Sequence, residues 1–492
     1  MWDANTAYSV VYPLLIAASS QRALGQSECG TIADVDLGWH APNATEVNDL
    51  TNVLNGTGVY GFVYNATTPS DVPYSTYNWC NMPHVRTSEY QPAPSDYKLE
   101  YVEVIHRHHK RTPYAHNTFP REGYPWYCDD EALAYYGIPI PEGNAAQVAW
   151  SVYTTDVNPF APAGFNGTCQ FPQISGQGLY DSRQHGVDLY GVYHDQLQFL
   201  PSSFDTNKVK FRVTNNVITS QVAGQLILGM YPDAENVSVT VLIQPDGVDS
   251  LEPSYSCASS DTIRETYGVG SNFSNWTDHL TAPETVSLFE RLEVVSNVNS
   301  SADADDWYSW FDHYFDNLSA RLCHQKPLPC TADNETCVSE EDAEAVFRRG
   351  QYEYSFIYRD SPSSLASSTS SYGVWLAELA SNLRAVASGD SEVLYRHNVA
   401  HDGSTSRLLS ILQVDQMVWP GMGAEVAFEL FSRDQCWYIR ILWKGQVMRS
   451  SNPSLGLLDL ISLDTLLAYI DGLVGENAQK IPGLCEQSSD DE

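Results

Sequence analysis

The spacing of apolar and polar positions divides the chain into segments of different character. YVEVI (101–105) is a β-branched run that stops at a basic cluster, which predicts a strand with that cluster at its C-terminal end. Between residues 179 and 201, Leu189, Val192, Leu197 and Leu200 fall roughly on one helical face, and Pro201 supplies the stop. KVKFRVT (208–214) reads as a second strand and TSQVAGQLILGMYP (219–232) as a second helix. Strands alternating with helices predict a parallel sheet. From 236 to 385 the pattern is helical but less regular, as in PETVSLFERLEVV and EEDAEAVFRRGQYEY. The sheet pattern returns with EVLYRHNVAHDGS (392–404), then a helix at SRLLSILQ and strands at EVAFELF and CWYIRILWKGQ. Residues 27–97, rich in Asn, Thr, Pro and Tyr with turn signals such as NGTG, predict irregular structure wrapped around the rest.

The expected fold is α/β, a mostly parallel central sheet flanked by helices, with an inserted helical cap. The core comprises 90–235 and 386–485, the cap 236–385, the N-terminal wrap 26–89 and an acidic tail 486–492. Residues 1–25 read as a signal peptide, with VVYPLLIAAS as its apolar stretch and ALG before Gln26 as the cleavage site. Asp3 and the absence of a positive charge among the first nine residues leave a short buried helix as the other reading. No other run reaches the 18 apolar residues of a membrane span.

Composition adds the compartment and removes some partners. Ten cysteines with no CxxC pair suit up to five disulfides better than a metal site, with connectivity open. Asn-X-Ser/Thr acceptors stand at Asn43, Asn55, Asn65, Asn166, Asn236, Asn272, Asn275, Asn299, Asn317 and Asn334, so a secreted, extracellular glycoprotein is expected. A formal charge of -35, from 61 acidic and 26 basic residues, excludes nucleic acid as a natural partner.

Against that balance, the six positions from His106 to Arg111 in HRHHKRTP are all basic or imidazole. Such a cluster needs an anion or a set of buried carboxylates among its members. Arg107 and Arg111 can grip a tetrahedral oxyanion through their fork geometry, and His108 between them can attack its central atom. The second strand end, AHDG, offers His401 and, as proton donor to a departing oxygen, Asp402. A solvated basic turn is the plainer reading of the cluster. His106 and His108 also match the HxH pair of metal-dependent hydrolases, but Arg107 and Arg111 would crowd a cation, and no metal is assigned. The aromatic positions of DWYSWFDHYF fall at helical spacing and predict core packing rather than a ligand platform. SADADD lacks the Gly and distal Glu of a calcium loop.

RHHKRTP resembles the RHGxRxP signature of the histidine acid phosphatases of the phosphoglycerate mutase-like histidine phosphatase superfamily, and VAHD resembles their later HD motif. LYDSRQHGVDLYG is similar to the helix after the signature, KVKFRVT to the next strand, and WPGMGAEVAFELF with YIRILWKGQ to the closing strands, so the resemblance covers most of the chain. It implies a secreted, fungal-type acid phosphatase acting on phosphomonoesters through a phosphohistidine, without a cofactor. His108 would be the nucleophile, Arg107 and Arg111 phosphate clamps, His401 a further phosphate ligand and Asp402 the proton donor.

Two positions depart from the pattern. The small Gly after the nucleophile is His109 here, read either as a compensating substrate ligand or as a block. A third clamp Arg, six residues after the position of Arg212, is Ile218. Loss of one such donor costs about 3–4 kcal/mol of transition-state stabilisation. His106, His109 and Lys110 are the candidates to fill the gap, and the alternative function is an anion-binding protein with weakened or altered activity.

Overall fold

The computed structural model describes residues 29, 34–120, 125–128, 153, 166–232, 239–301 and 303–486. The proposed signal peptide, residues 487–492 of the tail and the acceptor at Asn236 lie outside the described residues. One mixed sheet is built from β1 (Lys98–Arg107), β2 (Val209–Val213), β3 (Val241–Leu242), β4 (Tyr395–Ala400), β5 (Glu425–Arg433), β6 (Cys436–Trp443), β7 (Gln446–Val447) and β8 (Ile461–Ser462). Its order is β3-β2-β4-β1-β5-β6-β7, with β8 on β6. The half that runs β3-β2-β4-β1 is parallel, as expected. From β1 onward the pairing is antiparallel, which the expectation of a mostly parallel sheet did not include. For β5 and β6 the reason is local: a tight turn through Asp434 and Gln435, with φ of 50° and 65°, joins them directly, and so short a link permits only an antiparallel pair.

Alternation along β1 sorts its side chains between two layers. Val102 and Val104 join the cluster of Leu189 from the helix Gly176–Tyr190, Val192 from the turn Gly191–Gln196 that continues it, and Leu226 and Met230 from the helix Val217–Met230. Tyr101 and Ile105 face the larger cluster on the other side, with Trp375, Leu379, Leu408 and Leu466. The helix Ser364–Ser388, expected within the cap, therefore covers the sheet, and its Trp375, Leu376 and Leu379 are core residues. Both strand-following helices on the first face have side-chain caps: Ser175 Oγ accepts from Gly178 N, and Asn216 Oδ1 from Ile218 N.

The aromatic run does not form one helix. Ala304–Ser309 ends at an extended Trp310 and a new helix begins at Asp312–Cys323. Trp307, Phe311, Tyr314 and Phe315 are all buried in the large core. Five disulfides are present: Cys29–Cys436, Cys80–Cys323, Cys128–Cys169, Cys257–Cys485 and Cys330–Cys337. Cys80–Cys323 clamps the N-terminal wrap to the end of the Asp312–Cys323 helix.

One expected glycan acceptor is ruled out by burial. Asn317 is 0 % exposed, donates from Nδ2 to Asn117 O at 2.9 Å and accepts from Arg321 Nε at 3.2 Å. Peptide mapping of protein from a glycosylating host should find Asn317 unmodified, while the exposed Asn43, Asn55, Asn65, Asn166, Asn272, Asn275, Asn299 and Asn334 are open to modification. A glycan on Asn317 would mean that its helix forms late or is packed differently.

Candidate active site

Parallel strands bring their C-terminal ends to one edge of the sheet, and three of them supply the site. β1 pairs Arg107 with Ala400 of β4, so His108 and His401, the next residue on each chain, emerge side by side. β2 ends opposite Val399 and delivers Thr214. The rings of His108 and His401 lie 5.4 Å apart. A helix, Asp402–Ile411, starts directly at the second motif, which places the Asp402 carboxylate in its first turn.

His108 Nδ1 lies 2.9 Å from the carbonyl oxygen of His109. A carbonyl only accepts, so Nδ1 carries the proton and Nε2 of the neutral ring keeps a lone pair. Burial, with Arg107, Arg111 and His401 adding to it, holds the ring well below the usual histidine range. Arg107 donates to Pro420 O at 2.6 Å, pairs with Asp402 Oδ2 at 3.0 Å and lies over the Trp79 ring. Arg111 donates to Thr112 O at 2.9 Å and to Asp316 Oδ1 at 3.0 Å, and its guanidinium lies over Tyr114. Each arginine is almost fully buried, and each has an Nε with no acceptor among the described residues.

Asp402 Oδ2 also accepts from Trp419 Nε1 at 2.8 Å, and Oδ1 accepts from Gly403 N. Burial pushes the carboxyl up, but Arg107, Trp419 and Arg111 together more than offset it and hold Asp402 below the usual carboxylate range. His401 Nε2 is 2.9 Å from Thr214 Oγ1. Burial pulls His401 down to about 4, opposed by Asp402 and aided by the two arginines. Glu252, 3.6 Å from His401, is pushed up to about 7 by burial and by Asp249 and Asp246.

Buried carboxylates balance the basic run from His106 to Arg111. Arg107, Lys110 and Arg111 are neutralised one by one by Asp402, Asp181 and Asp316. Of the residues read from sequence, Arg107, His108, Arg111, His401 and Asp402 come together. His109 does not join them: its ring lies on the other side of the loop, 3.1 Å from His185, against Gly423. Gly423 has a φ of 72°, and a Cβ there would run into the His109 ring. Lys110 is occupied by Ala66 O and Asp181, and His106 by His397, so none of the three candidates replaces the missing clamp. Ile218 is 0 % exposed and packs among Ile174, Val213, Val222, Ala223 and Val399.

Sequence reasoning missed Asp316, Trp79, Trp419 and Thr214. Thr214 could have been found, since KVKFRVT ends on it at the same sheet edge as the two motifs. Asp316 stands 205 residues from Arg111 with no local signal.

No family model matches the chain. The sheet carries a basic His signature at one parallel strand end and His-Asp at its neighbour, the arrangement that the resemblance to the histidine acid phosphatases implies. It is 24% identical over 377 residues to Counting factor 60 of Dictyostelium discoideum, spanning 72% of this chain and 83% of that protein. It is 22% identical over 391 residues to 2-phosphoxylose phosphatase 1 of Homo sapiens, spanning 76% and 77% of the two chains. The phytase of Hafnia alvei, solved with myo-inositol hexakis sulphate, shares the fold at a TM-score of 0.50 and 11% identity, covering 79% of this chain and 100% of that one.

Proposed function

We propose that this protein hydrolyses phosphomonoesters in acidic medium through a phosphohistidine on His108. The observation that carries this reading is the neutral His108 with its Nε2 lone pair, set between two buried arginines that each retain an uncommitted Nε–H. Arg107, Arg111 and His401 take the non-bridging oxygens. Nε2 attacks phosphorus, the bond to the ester oxygen breaks, and Asp402 gives its proton to that oxygen. In the second half, the Asp402 carboxylate takes a proton from water as the water oxygen attacks phosphorus. The N–P bond then breaks, freeing His108 and phosphate. One curated relative, 2-phosphoxylose phosphatase 1, is by name a phosphatase of a phosphorylated sugar, which supports the substrate class. Five disulfides and eight exposed acceptor asparagines support secretion as a glycoprotein.

The sign of the pH dependence follows from Asp402. With its carboxyl held below the usual range, the acid form is scarce in the free protein at neutral pH, so kcat/KM falls as pH rises. A bound phosphate ester offsets the pull of Arg107 and Arg111, which raises Asp402 and moves the limb of kcat to higher pH than that of kcat/KM. Above pH of about 7, Glu252 ionises beside His401 and weakens anion binding, so KM rises; Glu252→Gln should flatten that rise. Asp402→Asn should cost about 10²- to 10⁴-fold in kcat. The loss should be larger for an alkyl phosphate than for 4-nitrophenyl phosphate, whose leaving oxygen hardly needs a proton. A flat profile from pH 4 to 8, or equal losses on both esters, would remove Asp402 from the role of acid.

A second reading rests on Ile218. With an apolar, fully buried residue at the third clamp position, the site can hold a phosphate or another anion, such as a carboxylate, with little or no turnover. An anion that raises the melting temperature and stays intact on long incubation supports binding alone.

A further inference from the structure

We infer that His106, His109 and His185 form a buried site for a divalent transition-metal ion of the zinc class, set behind the loop that carries His108. The inference is independent of the phosphatase reading, since none of the three rings faces the anion site. The ligands come from three pieces of chain: the end of β1, the turn after it, and the Gly176–Tyr190 helix. One nitrogen from each lies within 4.8 Å of the others, and all three residues are 0 % exposed. Zinc bonds to imidazole of about 2.0–2.1 Å in tetrahedral geometry set nitrogens about 3.3 Å apart, so small ring rotations suffice.

Two observations point to an ion rather than to an ordinary histidine core. First, His106 Nε2 and His109 Nδ1 are buried without a hydrogen-bond partner among the described residues. Second, partners typical of metal-bound histidines are already in place. His185 Nε2 is 2.8 Å from Glu425 Oε2, and Glu425 is fixed in turn through Oε1 by Val85 N. His106 Nδ1 is 2.7 Å from His397 Nε2, whose Nδ1 is 2.7 Å from Tyr395 Oη. His84, stacked on His185, lies outside the set, its nitrogens held by Asp188 and Met82 O, whereas His185 Nδ1 lies 3.1 Å from His109 Nε2, a contact within the set that an ion would replace. A set of imidazoles suits zinc, copper or nickel and not magnesium or calcium. Arg107 projects to the opposite face, against Trp79 and Asp402, and the nearer cationic groups, His84 and Lys110, are paired with Asp188 and Asp181. Because His106 and His109 flank Arg107 and His108, an ion here would fix the backbone that aims the nucleophile.

The test uses the full chain of natural sequence, expressed with zinc in the medium and dialysed against metal-free buffer. Mass spectrometry of the metals should find about one zinc per chain. Protein expressed with cobalt should show the visible d–d bands of low-coordinate Co²⁺. Both signals should be lost in the double variant His109→Asn, His185→Asn, together with any rise in melting temperature on adding zinc. Should that variant fail to fold, the metal content and cobalt spectrum of the natural chain still decide. Less than about a tenth of an ion per chain without cobalt bands overturns the site, and so does full metal content in a folded double variant.

Discussion

Replacing His108 by Ala should lower phosphate release from 4-nitrophenyl phosphate between pH 3 and 7 by about 10⁴-fold or more, as for other deleted nucleophiles. The fold should survive: His108 contributes one hydrogen bond to the neighbouring carbonyl and no residue of the large core depends on it. Natural protein quenched in alkali should carry a phosphoryl group that is stable in base, labile in acid and absent from the variant, as a phosphoramidate requires. Both the natural protein and the variant should still bind phosphate, because Arg107 and Arg111 are unchanged. Two outcomes are decisive. Turnover lost in the variant, with a trapped phosphohistidine in the natural protein, establishes the route and shows that two guanidiniums suffice where Ile218 replaces a third. No turnover in the natural protein above the variant makes the site one for binding, and Ile218 the reason.

Asp316→Ala should produce the largest loss of stability of any single change at the site. The carboxylate is buried and accepts from Arg111 Nη1, Tyr114 N and Asn117 Nδ2. Its removal takes the paired carboxylate from the buried Arg111 guanidinium, which keeps Thr112 O, and leaves two other donors without this acceptor, at a cost of about 3–5 kcal/mol. Asp316→Asn keeps an acceptor and should cost less. The same change frees Arg111 for an anion and removes a negative charge from its side, so added phosphate should raise the melting temperature of the Ala variant by more than that of the natural protein. An equal or smaller rise would show that Arg111 does not reach the bound anion, and would withdraw it from the clamp. Denaturant titration and thermal shift in a phosphate series measure both effects.

The legible part of this protein is the part written locally. Strands β1, β4 and β2, adjacent in that order, and the two helices on one face follow from periodicities of 2 and 3.6, and a parallel sheet carries strand ends to a common edge whatever lies between them. That geometry alone brings His108, His401 and Asp402 together across nearly 300 positions of sequence. The direction of each side chain was not legible, because a loop that leaves a strand does not continue its alternation. His108 turns to the Arg107 side and His109 to the His106 side, so the residue expected to touch the anion instead faces His185. Nor could spacing reveal Asp316, which reaches Arg111 from an inserted helix, the five disulfide pairings, or the burial of Asn317. Sequence by itself determined most of the elements and singled out the candidate groups His108, His401 and Asp402, since those depend on near neighbours. Tertiary packing alone decided which charge meets which carboxylate, and that pairing sets the protonation of Asp402 and the freedom of the two arginines on which the proposed chemistry rests.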